Sequence, residues 1–402
     1  MKKKLVPLLR FPEFIGNKEW ALNELGKYLD YLQPTKYLVS STVYDDKFKI
    51  PVLTAGKTFI LGYTNEDEGI FDKNLPVIIF DDFTTASKYV DFPFKAKSSA
   101  MKILLAKHNA NIKFFYESMQ LIKYQIGVHE RHWISIFSKI EIPVPMPNEQ
   151  QKIANCLSSI DDLITAENQK LEVLKIHKKG LIQLLFPVEG KNVPKLRFSE
   201  FLNHKGWVVK PFGKVFDRLI TKNTENNKNV LTISAQQGLV SQLDYFNKTI
   251  AANDITGYYL LHKGDFAYNK SYSKGYPMGA IKRLNMYDKG VVSTLYICFR
   301  TRENYHPPFF EHYFESGLIN PEIQKIAQEG SRAHGLLNVS IQEFFKKISI
   351  YVPDFKEQQK IANCLSSIDA LITMENQKLE ALKSHKKGLM QQLFPVKDKA
   401  DS

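Results

Sequence analysis

Residues 149 to 188 read EQQKIANCLSSIDDLITAENQKLEVLKIHKKGLIQLLFPV, and residues 357 to 396 read EQQKIANCLSSIDALITMENQKLEALKSHKKGLMQQLFPV. Only six of the forty positions differ. A weaker repeat precedes each copy: VPLLRFPEF at Val6 to Phe14 against VPKLRFSEF at Val193 to Phe201, with Trp20 and Trp207 following at the same offset. Internal repetition sets an architecture before any local reading begins. Here the plan is A-H-A′-H′.

The H segments read as long helices. Ile153, Leu157, Ile160, Ile164, Leu171, Leu174, Leu181 and Leu185 recur at alternating steps of four and three, as the seam of a coiled coil requires. The second copy repeats the seam with Ile361, Leu365, Ile368, Ile372, Leu379, Leu382, Leu389 and Leu393. Glu167 and Lys178 interrupt the first seam, and Glu375 and Lys386 interrupt the second at the same places, which suggests a register device. Asn148 with Gln151, and Asp354 with Glu357, are the expected N-caps, while Pro187 and Pro395 stop the helices. At the helical rise each rod is roughly 57 Å long. A helix lying on its own domain needs a wider apolar face than this stripe supplies, so the near-identical copy in the same chain is the expected partner.

The A segments, from about 15 to 147 and from about 202 to 355, share their edges and little of their middles. Both mix β-like runs (Pro76 to Phe80; Val291 to Phe299) with turn clusters and short helical stretches (Pro307 to Ser316; Pro321 to Glu329), as compact α+β domains do. Shared edges around unlike interiors suggest one fold and two ligands. The expected divisions are 1–147, a first domain; 148–187, a central helix; 188–355, a second domain; 356–396, a C-terminal helix; and 397–402, a tail.

The chain has 402 residues, 44% hydrophobic and 24% charged, which fits a folded protein of two or more domains. No apolar run is long enough to span a bilayer, and the start MKKKLVPLLRFPEF carries charges and prolines where a signal peptide needs an apolar core. A cytoplasmic protein with no membrane partner is expected. Cys156, Cys298 and Cys364 are too few for a disulfide framework and too far apart in sequence for a zinc site. The excess of 55 Lys+Arg over 42 Asp+Glu gives a net charge of +13, which favours a polyanionic partner, nucleic acid before a membrane surface.

Three resemblances to catalytic motifs fail on chemistry. Ala55-Gly56-Lys57-Thr58 ends like a phosphate loop, but Pro51 stands where its first glycine belongs, so no cradle of N–H groups forms. His306-Pro307-Pro308-Phe309 has histidine where an adenine methylase needs Asn or Asp, and two prolines explain it as a helix start. Asp45-Asp46-Lys47 lacks the partner carboxylate of a metal nuclease, and the histidines show no metal-ligand spacing. No catalytic residue, metal or cofactor is assigned to this chain.

Segments fit to touch DNA are more evident. Asn269, Lys270, Ser271, Tyr272, Ser273, Lys274 and Tyr276, followed by Lys282 and Arg283, interleave cations, amides and hydroxyls with aromatics on a glycine-punctuated loop. Gln236 and Gln237 can bond adenine bidentately. In the first domain Lys57, Thr84, Thr85, Lys88, Lys95, Lys97, Ser98 and Lys102 hold comparable chemistry, and Arg332 sits in a basic, glycine-flanked turn suited to a phosphate.

The two copies of EQQKIA…IDxLI…ENQKLExLKxHKKGLxQxLFP resemble the helical regions of type I restriction-modification specificity subunits. A strand leading by proline into each helix, Ile140 to Pro145 and Ile348 to Pro353, matches that family too. The resemblance covers nearly the whole chain. It implies an α+β protein in which two target recognition domains are separated by two long helices paired as an antiparallel coiled coil, a pseudo-two-fold repeat. It also implies that each domain reads one half of a bipartite asymmetric site in double-stranded DNA, with the gap set by the rods. The partners it implies are two adenine methyltransferase subunits and restriction subunits; S-adenosylmethionine, ATP and Mg2+ belong to them. A rod of roughly 57 Å agrees, since it separates two reading heads by one to two turns of DNA. Two other classes compete. A stand-alone DNA-binding regulator would not co-purify with a methyltransferase, and an enzyme in its own right would modify DNA without partners.

Overall fold

The computed structural model describes residues 5–56, 58–124, 132–234, 237–246, 254–273, 275–327 and 337–395. The chain divides into two compact units, Met1–Gln169 with Gln377–Ser402, and Lys170–Asn376. The division therefore cuts across the two long helices, Pro147–Leu185 and Phe355–Leu393, so that each unit holds part of both.

In the first unit a four-stranded antiparallel sheet is built from β1 (Leu29–Leu32), β2 (Val77–Asp81), β3 (Ser87–Val90) and β4 (Met101–Ala106), in the order β1-β4-β2-β3. The second unit repeats this with β5 (Phe216–Arg218), β6 (Phe266–Asn269), β7 (Ala280–Arg283) and β8 (Ile297–Thr301), in the order β5-β8-β6-β7. Successive side chains of a strand point to opposite faces. Ile78 and Phe80 accordingly enter a core with Trp20, Phe114 and Phe115, while Val77 and Ile79 pack with Leu53, Phe71 and Phe94. Both faces are covered, which is why the apolar run of β2 is buried throughout. In β6 the same alternation sends Phe266 and Tyr268 to one core and Ala267 to another. The run from Val291 to Phe299, expected to be one β segment, is two strands, because Ser293 to Tyr296 turn between Lys289–Val292 and β8.

The long helices meet within each unit. In the first, Ile153, Ala154 and Leu157 share a core with Met390, Leu393 and Phe394. In the second, Ile182, Leu185 and Phe186 share a core with Ile361, Ala362 and Leu365. Asp161 meets Lys386 and Glu167 meets Lys378 in the first unit; Lys170 meets Glu375 and Lys178 meets Asp369 in the second. Rising numbers on one helix face falling numbers on the other, so the pairing is antiparallel in both. Ile160, Leu171, Ile368 and Leu379 are buried, and Ile164, Leu174, Ile372 and Leu382 are half-buried. At the helix ends the seam widens: Ile182 and Met390 are buried where the heptad pattern points to Leu181 and Leu389, because each unit's α+β domain covers a second stripe there. The two modes of burial posed as alternatives in the sequence coexist.

One cap differs from expectation. Asp354 accepts from the Glu357 N–H at 3.0 Å and opens the second helix, whereas the first begins at Pro147, with the Met146 carbonyl accepting from Glu149. Asn148 therefore lies inside the first turn, and Gln151 bonds Asn111 and Asn155. Glu357 does not close a capping box either, since its carboxylate is held by Arg197 and Trp207.

Candidate nucleic-acid interface

The strand order places one hairpin in each unit at the equivalent end of its sheet. In the first unit this is the five-residue turn between β2 and β3. Asp81 ends β2, and its carboxylate accepts from the Phe83 N–H at 2.9 Å and the Thr84 hydroxyl at 2.7 Å. Thr85 takes a left-handed backbone, φ 57°, and the Asp81 N–H closes the turn on the Ala86 carbonyl. Thr84 is exposed at the tip beside Phe83, Thr85 is half-buried, and Lys88 is exposed on β3. The register of β2 on β4, Asp81 opposite Met101, brings the segment of Lys97 and Ser98 alongside. Ser98 is exposed, and Lys97 is half-buried with its ammonium on the Tyr44 hydroxyl at 2.9 Å.

Two lysines expected at this surface are not on it. Lys95 is 4% exposed, with its ammonium 2.7 Å from Glu66, whose carboxyl it holds below the usual value. Lys102 is 4% exposed and paired at 2.9 Å with Asp82, which also accepts from the Trp133 N–H. A lysine is buried only when paired, and here the partners are internal. Both are withdrawn from the candidate set; the Lys102–Asp82 pair anchors the base of the hairpin instead. Lys57 lies outside the described residues.

In the second unit the corresponding hairpin has ten residues, between β6 and β7. Asn269 ends β6 as Asp81 ends β2, and its side-chain oxygen accepts from the Ser271 N–H at 3.0 Å. The Lys270 carbonyl is fixed by the Leu337 N–H, and Ser273 and Tyr276 bond across the loop. The Tyr268 hydroxyl, donating to the Met278 carbonyl at 2.7 Å, ties the hairpin's two arms, and its ring stacks on Phe344. Gly279, at φ 77°, is required: a Cβ there would stand 2.3 Å from the Asn269 carbonyl oxygen. Tyr272 is 60% exposed, and Lys282 lies over the Tyr276 ring with its ammonium 3.0 Å from that hydroxyl. Gln237 is exposed in the separate turn after Leu231–Ser234. Arg283, beside Lys282, is half-buried, and its Nε donates to Glu311 at 2.7 Å. Gln236, Lys274 and Arg332 lie outside the described residues.

The helix ends hold a pairing that recurs with the repeat. Arg10 binds the Glu149 carboxylate through two bonds of 2.8 Å, and Trp20 donates to the same carboxylate at 3.2 Å. Arg197, Glu357 and Trp207 repeat the arrangement. The paired glutamates raise both arginines above their ordinary values. These residues all stand in the repeated motifs, so repetition itself was the signal. Elsewhere, burial pushes the Cys298 thiol up to about 12, which leaves it protonated and unreactive. His312, Glu315 and Asp369 have metal-holding spacing, but the cation between the carboxylates is the Lys178 ammonium, 2.7 Å from each. Among the described residues no helix is long and apolar enough to cross a membrane.

Comparison with known proteins fits this arrangement. The family model described as the type I restriction modification DNA specificity domain matches residues 17–175 and 204–384. The EcoR124I/EcoR124II specificity subunit of Escherichia coli is 47% identical over 170 residues, 40% of this chain and 42% of that protein. The MjaVIII specificity subunit of Methanocaldococcus jannaschii is 26% identical over 281 residues, 65% of this chain and 63% of that protein. The matches thus span less than two thirds of either relative. The crystal structure of a type I restriction-modification S subunit from M. genitalium aligns with a TM-score of 0.62 over 98% of this chain and all of that one, at 16% identity, a likeness of fold.

Proposed function

The chain belongs to the type I restriction modification DNA specificity family, and from that premise we propose that it is a non-catalytic subunit that reads a two-part, asymmetric site in double-stranded DNA. One observation carries the reading: two domains of identical strand order, each seated on the same repeated helix scaffold, present unlike hairpins at the same end of the sheet. One scaffold with two unlike reading heads is what an asymmetric bipartite site requires. Phosphate contacts position such heads and base-edge contacts specify. Thr84, Lys88 and Ser98 in one unit, and Tyr272, Lys282 and Gln237 in the other, offer groups of both kinds.

The chemistry belongs to partners: two adenine methyltransferase subunits using S-adenosylmethionine, and restriction subunits using ATP and Mg2+. The exposed outer faces of the long helices are the surface for their assembly. The test is to express the chain with the methyltransferase of its own system and map methylated adenines in host DNA. A single motif of two unlike half-sites at fixed separation is expected. Methylation without a two-part motif, or by the purified chain alone, would overturn the reading.

A further inference from the structure

The interruptions of the helical seam are polar residues in an apolar stripe, and two of them share one construction. In the first unit the Lys386 ammonium, on the second long helix, lies 2.8 Å from Asp161 on the first and 2.8 Å from Glu117 on the short helix Ile112–Gln120 of the recognition domain. Lys113 closes the cluster at 2.6 Å from Asp161 and 3.0 Å from Glu117. In the second unit Lys178, on the first long helix, lies 2.7 Å from Asp369 on the second and 2.7 Å from Glu315 on the short helix Pro307–Glu315. Asp161 and Asp369, and Lys178 and Lys386, are equivalent positions of the 40-residue repeat. The domain carboxylates are not equivalents of each other. Counted from the residue before each short helix, Asn111 and His306, the position of Glu117 is taken by His312, and Glu315 stands three residues later. Two different domain sequences thus supply a carboxylate to the same lysine of the repeat.

Each lysine joins three elements: both long helices and the domain that carries the hairpin. Lys386 and Lys178 are only 16% and 11% exposed, and Glu117 is 1% exposed. Burial works to lower the Lys178 pKa, yet Glu315 and Asp369 hold it above the ordinary lysine value. The apolar contacts around them, such as Met390 and Leu393 against Ile153, are non-directional and tolerate sliding. A buried ammonium does not, because a slip leaves it unpaired at a severe cost. Fixing register is the best-attested use of a buried charge in a helical seam.

We propose that Lys178 and Lys386 are positioning residues that lock each recognition domain onto the helix pair and so set the gap length accepted between the two DNA half-sites. This rests on the bipartite reading above. A one-turn slip of a helix is about 5.4 Å, which is between one and two base-pair steps of about 3.4 Å. Loss of a lock therefore admits neighbouring gap lengths while leaving the bases read by the hairpins unchanged.

The experiment uses the full chain in its methyltransferase complex, a DNA library carrying both half-sites at every gap from two base pairs shorter to two longer, and methylation as readout. For Lys386→Met and Lys178→Met, methylation at gaps one base pair off, relative to the natural gap, is expected to rise about tenfold or more, with the half-site bases unchanged. Lys347→Met, which breaks an exposed pair with Glu343 outside the long helices, keeps the wild-type profile. If a single variant fails to fold, Lys178→Met with Glu315→Gln and Asp369→Asn removes the whole charge cluster at a partly hydrated site and decides in its place. A folded variant that keeps one sharp gap, or that changes the half-site bases instead, overturns the proposal. If the wild-type complex methylates no two-part site, the functional reading has failed rather than the lock.

Discussion

Asn269, a candidate DNA contact, also shapes its own hairpin. Its side-chain oxygen holds the Ser271 N–H, as the Asp81 carboxylate holds Phe83 in the other hairpin; such side chains mimic a turn's own backbone. Asn269→Ala should weaken recognition of one half-site by about 1 to 3 kcal/mol, whereas Asn269→Ser, which keeps an uncharged turn acceptor, should retain most of the affinity for that half-site in a gel-shift titration. A loss equal to alanine's would mean that the amide reads a base. Glu315 gives a pH signature. Burial works to raise its carboxyl, but His312 and Lys178 bring it down to about 2 from an ordinary 4.5. A carboxyl depressed in the folded state contributes stability above its unfolded pKa and loses it as pH falls through the folded one. Melting curves of Glu315→Gln should therefore fall below wild type near pH 5 and converge with it as pH approaches 2.

The long helices carry the next prediction. Ile160 and Ile368 are each 8% exposed in the seam, and an aspartate at both would bury two uncompensated carboxylates. Ile160→Asp with Ile368→Asp should part the helices and abolish methylation of the two-part site, with helicity largely retained in circular dichroism. Unaltered methylation would mean the helices do not pair as described. The seam was legible in sequence because a coiled coil repeats one local environment every seven residues. Its widening onto Ile182 and Met390 was not, since that depends on which domain surface arrives beside the helix.

At the scale of the molecule, the equivalence of the two units predicts the behaviour of residues 1–192. The contacts named for the second helix in the first unit have counterparts in the first helix: Lys178 for Lys386, Ile182 for Met390, Leu185 and Phe186 for Leu393 and Phe394. Even the Leu9 N–H bond to the Gln392 carbonyl recurs as Leu196 to Leu184. Two half-chains should therefore pair through their helices into a symmetric dimer. With the methyltransferase, it should methylate an inverted repeat of the first half-site. Affinity should fall, since joining two chains costs translational and rotational entropy. Light scattering gives the mass and methylation mapping the motif; a monomer, or an asymmetric motif, would rule out equivalence of the units.

The sequence by itself determined the repeat, the two helices, their seam and the existence of two unlike domains, because each is written in local periodicity or in direct repetition. Tertiary structure decided which polar residues face outward. Lys95 and Lys102 carry no mark in the sequence that separates them from Lys88, yet Glu66 and Asp82 pair with them inside the fold. It also decided that Glu357 holds an arginine rather than closing a capping box, and that Lys178 and Lys386 each bind a domain carboxylate. The physical reason is the same in each case: a charge is satisfied by whatever opposite charge folding brings within about 3 Å, and residues distant along the chain carry no local trace of that meeting.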